Sequence, residues 1–270
     1  MRISSDYPFS SRAASYGDGC FTTAAVESGE VELLDPHIQR LKNGCQQINI
    51  KVSKAAWQAL EQHLTTKVRN TNKGVLKVII SAGEGGRGYA RSSTAEPIAY
   101  VHLIDGQPDY TTWRNSGVTL GVSEFKIARQ PALKQIKHLN RLEQTLIKSS
   151  NQNADDMLVL DTEGMIVEVS AANVFWRANN RWYTPELDYS GVSGVMRNHI
   201  IKQLGVKGSV VSQVRASLST LSTCTDMFIC NSLMRLVPVT SLIVNSKQTL
   251  QFHNQNIQNI VSLLSDTVSI

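Results

Sequence analysis

Two consecutive hairpin signals constrain this chain more than any other feature: "DMLVLDTEGMIVEVS" (156–170) and "NVFWRANNRWYTP" (173–185). Each sets apolar, β-branched or aromatic residues on both sides of a short polar turn, at "DTEG" and "ANN", and reads as two antiparallel strands. Further strand-like runs lie at "VLKVIIS" (75–81), "IAYVHLI" (98–104), "VTLGVSEF" (118–125), "DMFICN" (226–231) and "VPVTSLIV" (237–244). Strand follows strand more often than strand follows helix. The expected class is therefore α+β with antiparallel hairpins, not an alternating βαβ sheet.

Helical patterns sit around these strands. In "LLDPHIQRLKNGCQQINI" (33–50), Ile38, Leu41, Cys45 and Ile48 recur at three- and four-residue spacing and make one buried face. Asp35 is the expected cap, Pro36 suits the first helical position, and Arg40 falls off the apolar face. "SKAAWQALEQHLTTKV" (53–68) has Ser53 as cap and Trp57, Leu60 and Leu64 as its stripe. Other helices are expected after Lys137, from "SGVSGVMRNHIIKQL" (190–204), and from about Asn254 to the end. The Gly, Pro and Asp content of "DGQPDYTTW" (105–113) marks a boundary between a smaller N-terminal domain (1–108) and a larger C-terminal one (114–270) that carries Lys137.

Composition narrows the class. With 270 residues, 41% of them hydrophobic and 18% charged, the chain has the make-up of a packed soluble protein. No run approaches the roughly 18 apolar residues of a membrane span. The N-terminal "MRISSDYPFSSRAASYG" lacks the apolar core of an export signal, which points to a cytoplasmic location. Cys20, Cys45, Cys224 and Cys230 form no CxxC pair, so reduced thiols are expected. A net charge of +5 is mild and lacks basic tracts with interleaved aromatics, which argues against nucleic acid as the partner. It suits a small anionic substrate.

Motif search removes several chemistries. GxxxxGK[ST], GxGxxG between strand and helix, HExxH and GxSxG are all absent, and the six histidines show no metal-ligand spacing. Four features remain. Lys137, in "QIKHLNRLEQ" (135–144), is either one charge in a basic stretch or an amine activated by Arg141 and His138 in a closed site. Glu168 shares a strand face with Ile166 and Ser170, and is either an outward polar residue or a carboxylate placed under a cationic ring. "SGVSGVMR" (190–197) has the form of an anion cradle at a helix start, and Arg87 in "GEGGRGY" (83–89) can grip a carboxylate. Together an amine, a carboxylate, an oxyanion cradle and a carboxylate clamp suit pyridoxal phosphate chemistry on an anionic amine.

The segments "YGDGCFTTAAV" (16–26), "HIQRL" (37–41), "GGRGYA" (85–90), "IKHLNRLEQ" (136–144), "VEVSAANVFW" (167–176), "SGVMR" (193–197) and "FICNSLM" (228–234) follow the order of the fold-type IV pyridoxal phosphate enzymes. From about residue 12 to 240 the chain resembles that family. Its wording at "GDGCFTT", "GGRGY" and "KHLNRLEQ" is similar to that of aminodeoxychorismate lyases. The resemblance implies a fold-type IV architecture with the cofactor site at the domain interface, a homodimer, and pyridoxal 5'-phosphate bound through Lys137. It further implies Glu168 at the pyridine nitrogen, with Asn173 matching the asparagine that follows in the family. Arg40 and the amides of Val195 and Met196 would hold the phosphate, with Asn231 and Ser232 across from them. Thr23 would handle a proton on the substrate side and Arg87 the substrate carboxylate. The implied reaction converts 4-amino-4-deoxychorismate to 4-aminobenzoate and pyruvate for folate biosynthesis. Branched-chain aminotransferases of this fold carry a tyrosine five residues after the lysine, where this chain has Leu142. A D-amino-acid or branched-chain type aminotransferase is thus the second expectation.

Overall fold

In the computed structural model, residues 1–150, 153–265, 267 and 268 are described. They divide into two units, Met1–Gln107 with Ile136–Asn140, and Pro108–Gln135 with Arg141–Ile270. Lys137 thus packs with the first unit, whereas the sequence pattern places it in the second. The reason is local pairing: the Lys137 carbonyl accepts from Phe21 N (2.9 Å), and Leu139 N donates to Gly19 O (3.1 Å).

The first unit runs β1 (Arg2–Ser4), α1 (Arg12–Tyr16), β2 (Gly19–Glu27), β3 (Glu30–Val31), α2 (Leu34–Gln47), α3 (Lys54–Val68), β4 (Lys73–Ser81) and β5 (Ile98–Asp105). Its sheet has the order β1-β5-β4-β2-β3, antiparallel except for the β1–β5 pair. Strand β2, which periodicity alone did not reveal, pairs along its whole length with β4.

Alternation along β2 and β4 separates two faces. Cys20, Val26, Leu76, Val78 and Ile80 join Ile38, Leu41 and Cys45 of α2 and Trp57, Leu60, Leu64 and Val68 of α3 in one apolar core. Each such aliphatic side chain contributes about 1.5–3 kcal/mol on leaving water. Leu60→Ala in this core costs about 2–5 kcal/mol. Ser53 caps α3 as expected, accepting from Ala56 N at 3.2 Å. Asp35 does not cap α2. The cap position is Leu33, in the left-handed region at φ 52°, and Asp35 lies inside the first turn, where its charge complements the helix dipole. Ile48 ends outside the helix and half-buried, while His37 is buried on the face that the apolar pattern assigned to Ile38 and Leu41.

The second unit runs α4 (Thr111–Ser116), β6 (Val118–Val122), a 3₁₀ turn (Pro131–Leu133), α5 (Leu142–Ser149), β7 (Asp156–Leu160), β8 (Ile166–Val169), β9 (Asn173–Ala178) and β10 (Arg181–Pro185). It continues through α6 (Val195–Val206), β11 (Val211–Val214), a 3₁₀ turn (Leu218–Thr223), β12 (Asp226–Asn231), β13 (Arg235–Asn245), β14 (Gln248–Gln251) and α7 (Ile257–Leu264). Its sheet reads β11-β10-β9-β12-β13-β6-β7-β8, with β14 added to β13. Both hairpins read from the sequence are present as antiparallel pairs. Asn179 and Asn180 supply positive φ (48° and 61°) at the second turn, a conformation asparagine tolerates better than most side chains. Strand β6 stops at Val122, three residues short of the expected run, and α7 begins at Ile257.

Trp176, Val174, Met227, Ile229, Val237, Val239, Leu120 and Leu158 fill the core of this unit. Phe175 stacks on Phe228 at 4.7 Å, with Trp182 edge-on to Phe228 at 5.2 Å. All four residues of β8 are buried, Glu168 included. The outward placement of Glu168 is thereby excluded: neighbours cover both faces of its strand.

Candidate active site

In the first unit the site residues gather on β2. Backbone pairing on either side of Cys20 places Lys137 beside Phe21, and the Lys137 ammonium nitrogen lies 4.8 Å from the centre of the Phe21 ring. Lys77 approaches the same ring at 5.3 Å. Alternation puts Thr23, half-buried, on the face that carries Phe21. Thr22 points the opposite way, toward α2. There its hydroxyl meets His37 Nδ1 at 2.6 Å and accepts from Arg40 Nη2. Burial, reinforced by the Arg40 charge, pushes the His37 pKa well below its ordinary value. Arg40 is half-buried.

Arg87 lies on the connection between β4 and β5. It is exposed in a loop whose backbone is held by the buried Arg12. The Arg12 guanidinium donates to the carbonyls of Gly85 (3.2 Å), Tyr89 (2.9 Å) and Ala90 (3.1 Å) and pairs with Asp18 at 2.8 Å. Arg91 bonds the same Asp18 carboxylate at 2.9 Å through Nε. Burial alone would raise the Asp18 pKa, but hydrogen bonds from Arg91 and Arg12 outweigh it and hold the carboxyl below the usual range.

In the second unit one residue, Val192, ties the site together. Its amide donates to Glu168 Oε2 at 2.9 Å, and its carbonyl accepts from Asn173 Nδ2 at 2.8 Å. Gln135, two residues before Lys137 in the chain, flanks it by accepting from Ser193 N and donating to Gly191 O. Gly191, at φ 85°, is packed so closely that a Cβ would sit 2.6 Å from Val167 Cγ1. Two residues after Val192, Gly194 opens α6 without any side-chain cap. The first return bond to this turn runs from Asn198 N to Gly194 O, so the buried amides of Val195 and Met196 have no partner within the helix. Asn173 Oδ1 closes over Gly194, where a Cβ would lie 2.0 Å from it. Uncapped amides at the start of a 12-residue helix are a seat for an anion.

Arg197, in the next position of the same turn, is committed to the protein. It donates to Pro185 O and Gln213 Oε1, both at 2.9 Å, and burial lowers its pKa to about 10 against the opposing pull of Cys230. Asn231 is occupied as well: its Oδ1 takes the amides of Leu233 and Met234 and its Nδ2 donates to Ala171 O. Its side chain builds the turn that presents the half-buried Ser232. Arg141, just before α5, has its pKa lowered by burial, with Glu168 and Glu143 pulling it up. Leu142 is 71% exposed. His138 pairs through its backbone with Cys20. Sequence reasoning missed Thr22, His37 and Val192. The i, i+3 spacing of His37 and Arg40 was a usable signal, whereas nothing in the sequence singles out Val192.

Residues 19–242 match the amino-transferase class IV family, and the chain belongs to that family. It is 32% identical over 238 residues to the aminodeoxychorismate lyase of Vibrio harveyi, covering 87% of each chain. The putative branched-chain-amino-acid aminotransferase of Methanocaldococcus jannaschii is 25% identical over 86% of this chain and 82% of its own. Among solved structures, 4-amino-4-deoxychorismate lyase from Pseudomonas aeruginosa superposes with a TM-score of 0.90 at 30% identity, covering 99% of this chain and 97% of that one. The fold is that of the fold-type IV enzymes, which use pyridoxal phosphate. Each unit taken by itself carries groups of the kind that this cofactor takes: a lysine amine in the first, and in the second a buried glutamate on β8 and uncapped amides at the start of α6.

Proposed function

We propose that this protein is a pyridoxal phosphate-dependent lyase that converts 4-amino-4-deoxychorismate to 4-aminobenzoate and pyruvate. The observation that carries the reading is the 32% identity to a lyase over 87% of the chain, with Leu142 at the position of the aminotransferase tyrosine. The bound cofactor would take up the substrate amine and spread the negative charge left on the neighbouring carbon.

The chain's own residues account for the remaining work. Lys137 would hold the cofactor, and its free amine would take the proton from ring carbon 4 of the substrate. The carbon 3–oxygen bond then breaks, and the enolpyruvate that leaves gains a proton at its methylene carbon to become pyruvate. The ring becomes aromatic. Glu168 would pair with the pyridine nitrogen, and its bond from the Val192 amide fixes the side chain for that role. Arg40, the amides of Val195 and Met196, and Ser232 on the turn built by Asn231 are the groups that would hold the phosphate. Thr23 handles a proton on the substrate side, and Arg87 takes the substrate carboxylate. Asn173 shapes the cradle through Val192 and Gly194.

The reading includes a homodimer in the cytoplasm. Among the described residues no helix is long and apolar enough to cross a membrane. The second reading, an aminotransferase, draws on the Methanocaldococcus relative.

One experiment tests both chemistry and lysine. Borohydride reduction of the yellow protein, followed by peptide mapping, is expected to place the label on Lys137. A coupled assay with 4-amino-4-deoxychorismate is expected to release pyruvate and an aromatic amine. A label on Lys134 overturns the lysine assignment, and efficient transamination without pyruvate overturns the lyase.

A further inference from the structure

Arg40 reaches Thr22 from α2, and the same threonine oxygen contacts His37, one turn before Arg40 on that helix. The donors and acceptors in this trio can be assigned without seeing hydrogens. Arginine has only N–H donors, so Thr22 Oγ1 accepts from Arg40. The oxygen could accept a second bond, but among the described residues His37 Nδ1 is the one acceptor found for the hydroxyl's own proton, so Thr22 donates to Nδ1 across the 2.6 Å contact. His37 is therefore the neutral imidazole with its proton on Nε2. Its burial, at 2% exposed beside a guanidinium, favours the same uncharged form.

We propose that His37 is a positioning residue: acting through Thr22, it fixes the Arg40 guanidinium in the orientation that receives the phosphate of pyridoxal phosphate. This rests on the proposed phosphate role of Arg40. The physical logic is preorganisation. A free arginine side chain loses rotamer freedom when it grips an anion, and one already held by an oriented hydroxyl loses less. The hydroxyl is oriented because its proton is committed to Nδ1. Without that acceptor it rotates freely and its lone pair is no longer aimed at Arg40.

The test compares pyridoxal phosphate with pyridoxal, which reacts with the same lysine but carries no phosphate. Affinities of both are measured by absorbance titration on the full-length protein. His37→Leu is expected to weaken pyridoxal phosphate about tenfold and pyridoxal by less than about twofold, because one charge-assisted contact is loosened. His37→Asn, whose side-chain oxygen sits near the place of Nδ1, should recover most of the loss. Thr22→Val should reproduce the His37→Leu result, while Thr22→Ser should not. Inorganic phosphate should compete less well for the weakened variants. In the Arg40→Ala background, His37→Leu should add nothing.

Equal weakening of both ligands, or no recovery with asparagine, makes the role purely structural and overturns the proposal. If His37→Leu does not fold, the Thr22→Val and Thr22→Ser pair decides by the same ratio. Should Arg40→Ala itself leave the ratio of the two affinities unchanged, the phosphate role of Arg40 fails. The proposal then falls with it, whatever His37 does. If Arg40→Ala changes the ratio and neither Thr22→Val nor His37→Leu does, Arg40 keeps the phosphate and His37 has no part in positioning it.

Discussion

Glu168 and Asn173 hold opposite ends of one residue: the carboxylate takes the Val192 amide at 2.9 Å, and the carboxamide donates to the Val192 carbonyl at 2.8 Å. Strands β8 and β9 thereby fix the backbone two residues ahead of the α6 N-terminus. The buried Glu168 side chain and the uncapped amides at the start of α6 are set by the same short segment.

Replacing Glu168 separates these two duties. Glu168→Gln keeps a carbonyl oxygen for the Val192 amide but removes the negative charge. Pyruvate release is expected to fall by about 10²-fold or more, equivalent to about 2.7 kcal/mol of barrier, while the folded protein persists. Steady-state kinetics alongside a thermal melt measure both. A rate within about threefold of wild type would remove Glu168 from the chemistry.

Gly194→Ala attacks the cradle. The added Cβ would lie 2.0 Å from Asn173 Oδ1, so Asn173 or the start of α6 must shift. The expected cost is about 1–3 kcal/mol of stability, together with weaker cofactor binding. Adding Asn173→Ala removes the clashing atom, so the two substitutions should be non-additive. Chemical denaturation of the four-member set shows whether they are.

Arg12 is 3% exposed and binds the carbonyls of Gly85, Tyr89 and Ala90 as well as Asp18. Arg12→Ala removes one of the two arginines on Asp18 and leaves the loop carbonyls without their donor, at a cost of about 1–3 kcal/mol. The loop bearing Arg87 loses its anchor at the same time. Limited proteolysis should then cut within residues 83–94, and KM for substrate should rise more than kcat falls. Cleavage elsewhere with an intact loop would refute the anchoring role.

Acid stability should report Asp18. Its folded pKa is depressed, so its contribution is fully present above the unfolded value of about 3.9 and is lost as pH falls through the folded value. Urea midpoints between about pH 7 and pH 2 should decline at the acid end in wild type. Asp18→Asn should be less stable near neutrality and lose less on acidification. Parallel curves for the two proteins would contradict the assignment.

Much of the fold was legible because its signals are local. Ser53, the stripe Trp57, Leu60 and Leu64, and both hairpins depend on neighbours close in sequence. Local signals misled at Asp35, where a left-handed Leu33 took the cap position, and at β2, whose run "GCFTTAAVE" has no clean alternation. Only the end of β2 pairs locally, with β3; its full length pairs with β4, some fifty residues away, and its start with the Lys137 segment, and no short window contains these two.

The sequence by itself determined the chemical inventory: a lysine in "IKHLNRLEQ", a carboxylate in "VEVS", a glycine-led helix start in "SGVMR" and an arginine in "HIQR". Tertiary structure decided what each could become. Burial on both faces of β8 turned Glu168 from a surface position into a held side chain, bonded by the Val192 amide and interacting electrostatically with Arg141. Pairing with β2 carried the segment Ile136–Asn140 into the first unit and Lys137 onto the Phe21 ring. Contact between α2 and β2 joined Thr22 to both His37 and Arg40 by hydrogen bonds, an arrangement between residues 15 and 18 positions apart. Residue type is written in the chain. Environment arises only when distant segments exclude water together, and environment decides which of these groups is poised to act.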